Sequence, residues 1–129
     1  MDKTFALLAL LAAQAAAAAP DPARGQAIYQ ARCTACHSPD FNGVGPAHRG
    51  VFGRLAGTAK GYAGYSAALK KSGLRWNEAN LDRWLADPET LVPGQAMGIS
   101  LADAGERADV IAYLNSLSDS PKPLPTAAK

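Results

Sequence analysis

The chain has 129 residues, of which 13 are lysine or arginine and 11 are aspartate or glutamate, for a formal net charge of +2. That length bounds it to one small domain, and so even a charge balance gives no support to a nucleic-acid role. Only two cysteines are present, three positions apart, which leaves nothing from which to build a disulfide framework.

Residues 1–4 carry Lys3 as a basic start, and 5–19 form an apolar run ending in small residues. This reads as a secretory signal peptide over 1–18. Ala16 and Ala18 are the small pair before the cut, since Pro20 disfavours cleavage after Ala19; the boundary is set to within one or two residues. The run is shorter than the roughly 20 residues that span a bilayer and Gln14 interrupts it, so retention as a membrane anchor is the weaker reading. An exported protein follows, periplasmic if the source is a Gram-negative bacterium. One domain is expected over 19–119 and a disordered Pro-rich tail over 120–129.

Asp21-Pro22 supplies an N-cap and a proline at N1 for a first helix that runs towards Cys33, with Ile28 and Tyr29 on its inner face. Residues 38–64 are rich in Gly and Pro without helical period, which predicts a wrapping loop. Ser66 can cap a short helix ending at Gly73. Asn77 can cap another, with Leu81, Trp84 and Leu85 at i, i+3 and i+4 and Pro88 at its end. Asp103 and Glu106 open a last helix over about 103–118 whose apolar stripe is Val110, Ile111, Leu114 and Leu117. No strand pattern long enough for a sheet is visible, so the class is all-α, with four to five helices.

Cys33-Thr34-Ala35-Cys36-His37 is the motif that carries chemistry. Two thiols at this spacing, followed at once by an imidazole, read as a c-type haem attachment site. Each thiol adds to one vinyl group, and His37 then lies under the iron. Thioether formation occurs outside the cytoplasm, in keeping with the export signal. A small chain of four or five helices also has a thin core, which a large covalent macrocycle would fill. A zinc site at the same residues lacks a convincing fourth ligand. A thiol oxidoreductase would want a βαβ setting, which is absent.

Once the signal peptide is removed, Met97 is the only methionine. An isolated Met usually fills a gap in a core. Downstream of a haem motif, in the Pro-Gly loop over 92–97, it is instead the expected sixth ligand, a soft neutral thioether that raises the reduction potential relative to a second histidine. His48 is the only other histidine. It lies too close in sequence to the proximal loop to reach the opposite face easily, and surface or propionate contact is expected of it.

These residues, with Gly25, Tyr29, Gly45-Pro46, Gly50-Val51-Phe52-Gly53-Arg54, Gly61-Tyr62, Tyr65-Ser66, Trp76, Leu85, Pro88, Pro93-Gly94 and the stretch from Gly105 through Tyr113-Leu114, resemble in order a small class I cytochrome c of the bacterial c2 or mitochondrial type. The resemblance covers almost the whole mature domain. It implies the cytochrome c fold wrapped around one covalently attached haem c, with the first and last helices crossing near Gly25, Tyr29 and Tyr113. It implies thioethers at Cys33 and Cys36 and iron ligation by His37 and Met97. Near Pro46 it places a carbonyl on the free nitrogen of His37, and on the buried propionates it places Arg54, Tyr65 and Trp76. Tyr29, Trp84 and Tyr113 are read mostly as core packing. Leu69 and Trp84 depart from the usual Asn and Tyr beside the Met ligand, and Gln95-Ala96 departs from Thr-Lys before it. The segment after Met97 is one residue shorter.

The implied activity is that of an electron carrier, not an enzyme: a respiratory-type cytochrome shuttling one electron at a time between membrane or periplasmic redox proteins, as a monomer. The alternative is a haem protein with a labile Met ligand that binds small gases or peroxide, as a sensor or weak peroxidase. No distal acid–base residue for that chemistry is evident. Charge is distributed unevenly. Residues 41–75 hold six basic side chains (Arg49, Arg54, Lys60, Lys70, Lys71 and Arg75) and no acidic one, whereas from Trp76 onward four basic face eight acidic. Apart from Arg54, the basic group is expected to steer docking towards an acidic patch, although the lysine ring of mitochondrial cytochromes is thinned, notably at Ala96.

Overall fold

The computed structural model describes residues 18–124; the signal-peptide expectation falls almost wholly outside them. Five helices follow in order: α1 (Pro22–Arg32), α2 (Ala67–Lys71), α3 (Glu78–Ala86), α4 (Pro88–Leu91) and α5 (Ala104–Ser116). Among the described residues the only β pairing is an isolated antiparallel bridge between Leu55 and Arg75.

Each helix begins where a short polar side chain takes up backbone donors left free by the first turn. Asp21 accepts from Ala23 N, Ser66 from Leu69 N, Asn77 from Asn80 N and Asp103 from Glu106 N. Pro88 was expected only to end the third helix. It also starts α4, because Asp87 caps Thr90 N and a proline at N1 has no N–H to lose.

Contact between α1 and α5 is the most extensive of any helix pair. It depends on Gly25, where a Cβ would lie 1.8 Å from the Asp109 carbonyl oxygen. Beside this crossing the Asp109 carboxylate accepts from Asp21 N at 2.8 Å and from Arg24 Nε at 3.0 Å. Tyr29, Ile111 and Val110 are the largest of the fully buried side chains among the described residues. Arg107 joins α5 to α3 by donating to Asp82 at 2.7 Å. Asn115 clasps Lys122 through both amide atoms, which ties the chain down past the point where the tail was expected to begin.

The segment between α1 and α2 has no regular structure, as its composition predicts, and it is held by reciprocal backbone bonds. Gly53 N donates to Trp76 O, Trp76 N to Arg54 O and Ala56 N to Leu74 O. These bonds anchor the loop on the approach to α3 and leave a deep cleft between it and the helices.

Candidate functional site

The expected site residues Cys33, Cys36, His37, Pro46, Arg54, Tyr65, Trp76 and Met97 all line that one cleft, of about 210 Å³. Its remaining wall is largely apolar and includes Leu69, Leu81, Trp84, Val110 and Leu114.

The end of α1 sets the proximal side. Cys33 N still bonds to Tyr29 O, and His37 N folds back to Cys33 O at 2.9 Å, so the motif is a turn continuing from the helix. Both thiols are free and half-buried, and burial pushes the Cys33 thiol up. His37 Nδ1 lies 2.9 Å from the carbonyl oxygen of Pro46 itself. A carbonyl only accepts, so Nδ1 carries the proton and Nε2 keeps the lone pair that a metal needs. Burial lowers the His37 pKa, against the pull of the Pro46 bond, which favours the neutral ring that can ligate. The approach is close: a Cβ on Gly45 would fall 2.2 Å from His37 Cε1.

His48 has partners that the sequence did not indicate. It lines the cleft, and its ring stacks on His37 with centroids 4.0 Å apart and planes 22° from parallel. Its Nδ1 lies 2.9 Å from the Tyr29 hydroxyl. Tyr29 packs in the core as expected, edge-on to Tyr113, but its hydroxyl also satisfies a buried imidazole. Burial, reinforced by His37 and Arg54, holds His48 well below its ordinary pKa and hence neutral. The available signal was its position two residues after Pro46, which carries it under the same ring that Pro46 contacts.

Arg54 shows what the cleft is built to receive. Its guanidinium donates to Ala47 O at 3.1 Å and more weakly to Arg49 O, while Nε is buried with no partner among the described residues. A buried unpaired donor is costly, and desolvation accordingly lowers the Arg54 pKa. An anionic oxygen at this end of the cleft would satisfy it. Tyr65 accepts from Ala59 N at 2.9 Å, which leaves its hydroxyl proton for an acceptor as well. Haem c carries two carboxylates and an apolar ring, so the residues present fit it.

Leu69 and Trp84, the two departures from the expected polar pair, are buried in the cleft wall, where Trp84 meets Trp76 edge-on at 5.3 Å. Seven residues of the lining are exposed and form the mouth: Arg32, Val44, Gly64, Ala96, Gly98, Ile99 and Ser100. Only Arg32 is charged. Apart from Arg54, the basic residues of 41–75 do not line the cleft. Arg49 is paired with Asp40, and Arg75 donates to Gly53 O.

The model of the cytochrome c family matches residues 22–118. A cytochrome c homolog of Bradyrhizobium diazoefficiens is 46% identical over 102 residues; the match takes in 76% of this chain but only 55% of that longer protein. Cytochrome c2 of Rhodomicrobium vannielii is 43% identical over 110 residues, covering 82% of this chain and 86% of the relative. Among solved structures, cytochrome cH from Methylobacterium extorquens superposes with a TM-score of 0.71 at 48% identity, covering 74% of this chain and 98% of its own. A cleft that gathers both motif cysteines, an oriented histidine, a methionine and an arginine awaiting an anion thus coincides with a match across the whole folded region, and the chain belongs to the cytochrome c family.

Proposed function

We propose that this protein is an exported monomer that carries one electron at a time between membrane or periplasmic redox partners, on a haem iron ligated by His37 and Met97. Members of the family bind one covalently attached haem c and are electron-transfer proteins rather than enzymes. The observation that carries the finer reading is the presence of Cys33, Cys36, His37 and Met97 around one apolar cleft. Cys33 and Cys36 would hold the group through thioethers, and Arg54 and Tyr65 would bond its carboxylates. When bound, the haem supplies an iron that cycles between ferric and ferrous states.

The protein's own residues decide how that iron is used. Pro46 orients His37 and raises its basicity through the Nδ1 bond. The apolar wall keeps water from the site, and a neutral thioether favours the ferrous state. Peroxide activation calls for a distal acid–base group. The second histidine of the chain is committed against His37 on the proximal side, and no observation favours the sensor or peroxidase reading. No helix among the described residues is long and apolar enough to cross a membrane.

The test is the absorption spectrum of the purified ferric and ferrous protein, before and after carbon monoxide. Sharp low-spin ferrous bands, a weak far-red ferric band from sulfur-to-iron charge transfer and no response to carbon monoxide are expected. High-spin spectra or ready carbon monoxide binding would overturn the reading. The mouth of the cleft also predicts the manner of docking. With one charge among seven exposed residues, contact there would be made largely by uncharged groups.

A further inference from the structure

We propose that Glu89 and Gln95 are positioning residues for Met97: together they form a brace that keeps the Met97 loop closed over the cleft and so governs how readily the thioether gives way to an external ligand. The proposal rests on the reading of Met97 as the sixth ligand. Three hydrogen bonds make the brace. Glu89 lies in the first turn of α4 and turns both carboxylate oxygens to the loop that follows. Oε1 accepts from Gly94 N at 2.8 Å and Oε2 from the Gln95 side-chain Nε2 at 3.1 Å. The other end of the same amide, Gln95 Oε1, accepts from the backbone N–H of Met97 at 2.5 Å. The chain of bonds therefore runs from α4 through one carboxylate and one amide to the methionine itself.

The anchor beneath it is firm. Pro88, which opens the short helix, and Val92, which closes it, are buried, and Asp87 caps its start through Thr90 N and Thr90 Oγ1. Gly94 takes φ +89, so the turn presents its N–H to Glu89 in a conformation other residues rarely adopt. Inside the cleft nothing comparable is available, because Leu69 and Trp84 offer apolar surface where the resemblance leads one to expect an amide and a phenol. Position 95 is where the brace shows in the sequence: a side chain long enough to reach Glu89 with one end and Met97 N with the other has to be Gln.

The experiment is stopped-flow binding of imidazole to the ferric holoprotein, followed by loss of the far-red charge-transfer band. Gln95→Ala and Glu89→Ala should each speed imidazole binding on the order of tenfold, as expected when a charge-assisted bond is lost. Glu89→Gln keeps an acceptor for Gly94 N but sets an amide nitrogen against Gln95 Nε2, and should fall between. Because Gln95 links Glu89 to Met97 N while the Gly94 bond to Glu89 is separate, the two substitutions in Glu89→Ala/Gln95→Ala should together speed binding by less than the product of their single effects. Asn115→Ala, which removes the clasp on Lys122, controls for general loosening and should leave the rate unchanged. Wild-type rates in all three single variants, or the same acceleration in Asn115→Ala, would overturn the brace. Absence of the charge-transfer band in the unmutated protein would instead overturn Met97 ligation, and the brace with it. If Glu89→Ala fails to accumulate as holoprotein, Gln95→Ala and Glu89→Gln decide the matter.

Discussion

On the His37 side of the cleft the polar groups are satisfied by buried or half-buried partners, whereas the loop leading into Met97 is held largely by exposed bonds made within residues 87–97, its far end closed by Leu101 N on Leu85 O. His37 is held by the Pro46 carbonyl, His48 by the Tyr29 hydroxyl, and Tyr29 by Tyr113 of α5. All of these are buried or half-buried. The bonds joining Asp87, Glu89, Thr90, Gly94 and Gln95 are exposed and span at most six residues in sequence. Long-range buried contacts are lost only with the whole fold, while short exposed ones open locally. The difference predicts that the 87–97 segment opens more readily than the proximal side.

The firmest way to break the proximal side is at the helix crossing. Gly25→Ala would drive a methyl into the Asp109 backbone, which cannot yield, and a loss of about 3 kcal/mol or more is expected; denaturant unfolding of the holoprotein would measure it. Tyr29→Phe should cost about 1–2 kcal/mol, because it strands the buried His48 Nδ1. Adding His48→Leu removes the orphan as well and should restore most of that loss. Failure of the double variant to recover would show that the pair contributes shape rather than a satisfied bond.

Acid should also act on the helix crossing. Burial raises the Asp109 carboxyl, but the Arg24 guanidinium and the Asp21 N–H more than offset this and hold it below the ordinary carboxylate range. A depressed folded-state pKa gives stability that is present above the unfolded value of about 3.9 and is lost as pH falls through the folded one. Asp109→Asn should therefore flatten the dependence of stability on pH below that value, leaving the slope at neutral pH as it was. Unfolding midpoints measured across that range check it.

On the distal side, Asp87→Ala should speed amide hydrogen exchange at Thr90 while the global unfolding midpoint shifts little, since it frees only a local cap. Smallest of all should be Asp40→Asn. Its partner Arg49 is about half exposed, and an exposed pair of this kind contributes little to stability. No resolvable change in thermal midpoint is expected.

Much of this was legible in the residue order because it rests on local rules. Caps at Asp21, Ser66, Asn77 and Asp103, the irregular loop over 38–64, the haem motif and the lone mature methionine each need only a few neighbours to be read. α4 escaped notice because Pro88 was read as a stop, although a proline at N1 serves equally as a start. The fate of His48 was hidden for a different reason: its environment is made by Tyr29, nineteen residues earlier, and by the ring of His37, which the chain must turn back to meet. The same holds for Arg54 Nε, whose lack of a partner exists only once the loop has closed around it.

The sequence by itself determined four of the five helices and the spacing of the Cys33–His37 motif, because helix capping and motif spacing are properties of neighbours along the chain. Only the tertiary structure decided that the second histidine backs the first, that the basic residues of 41–75 other than Arg54 do not line the cleft, and that Glu89 and Gln95 bond to the Met97 loop. Those outcomes depend on burial and on which polar groups are left to satisfy one another once the chain has folded, and neither quantity exists before it does.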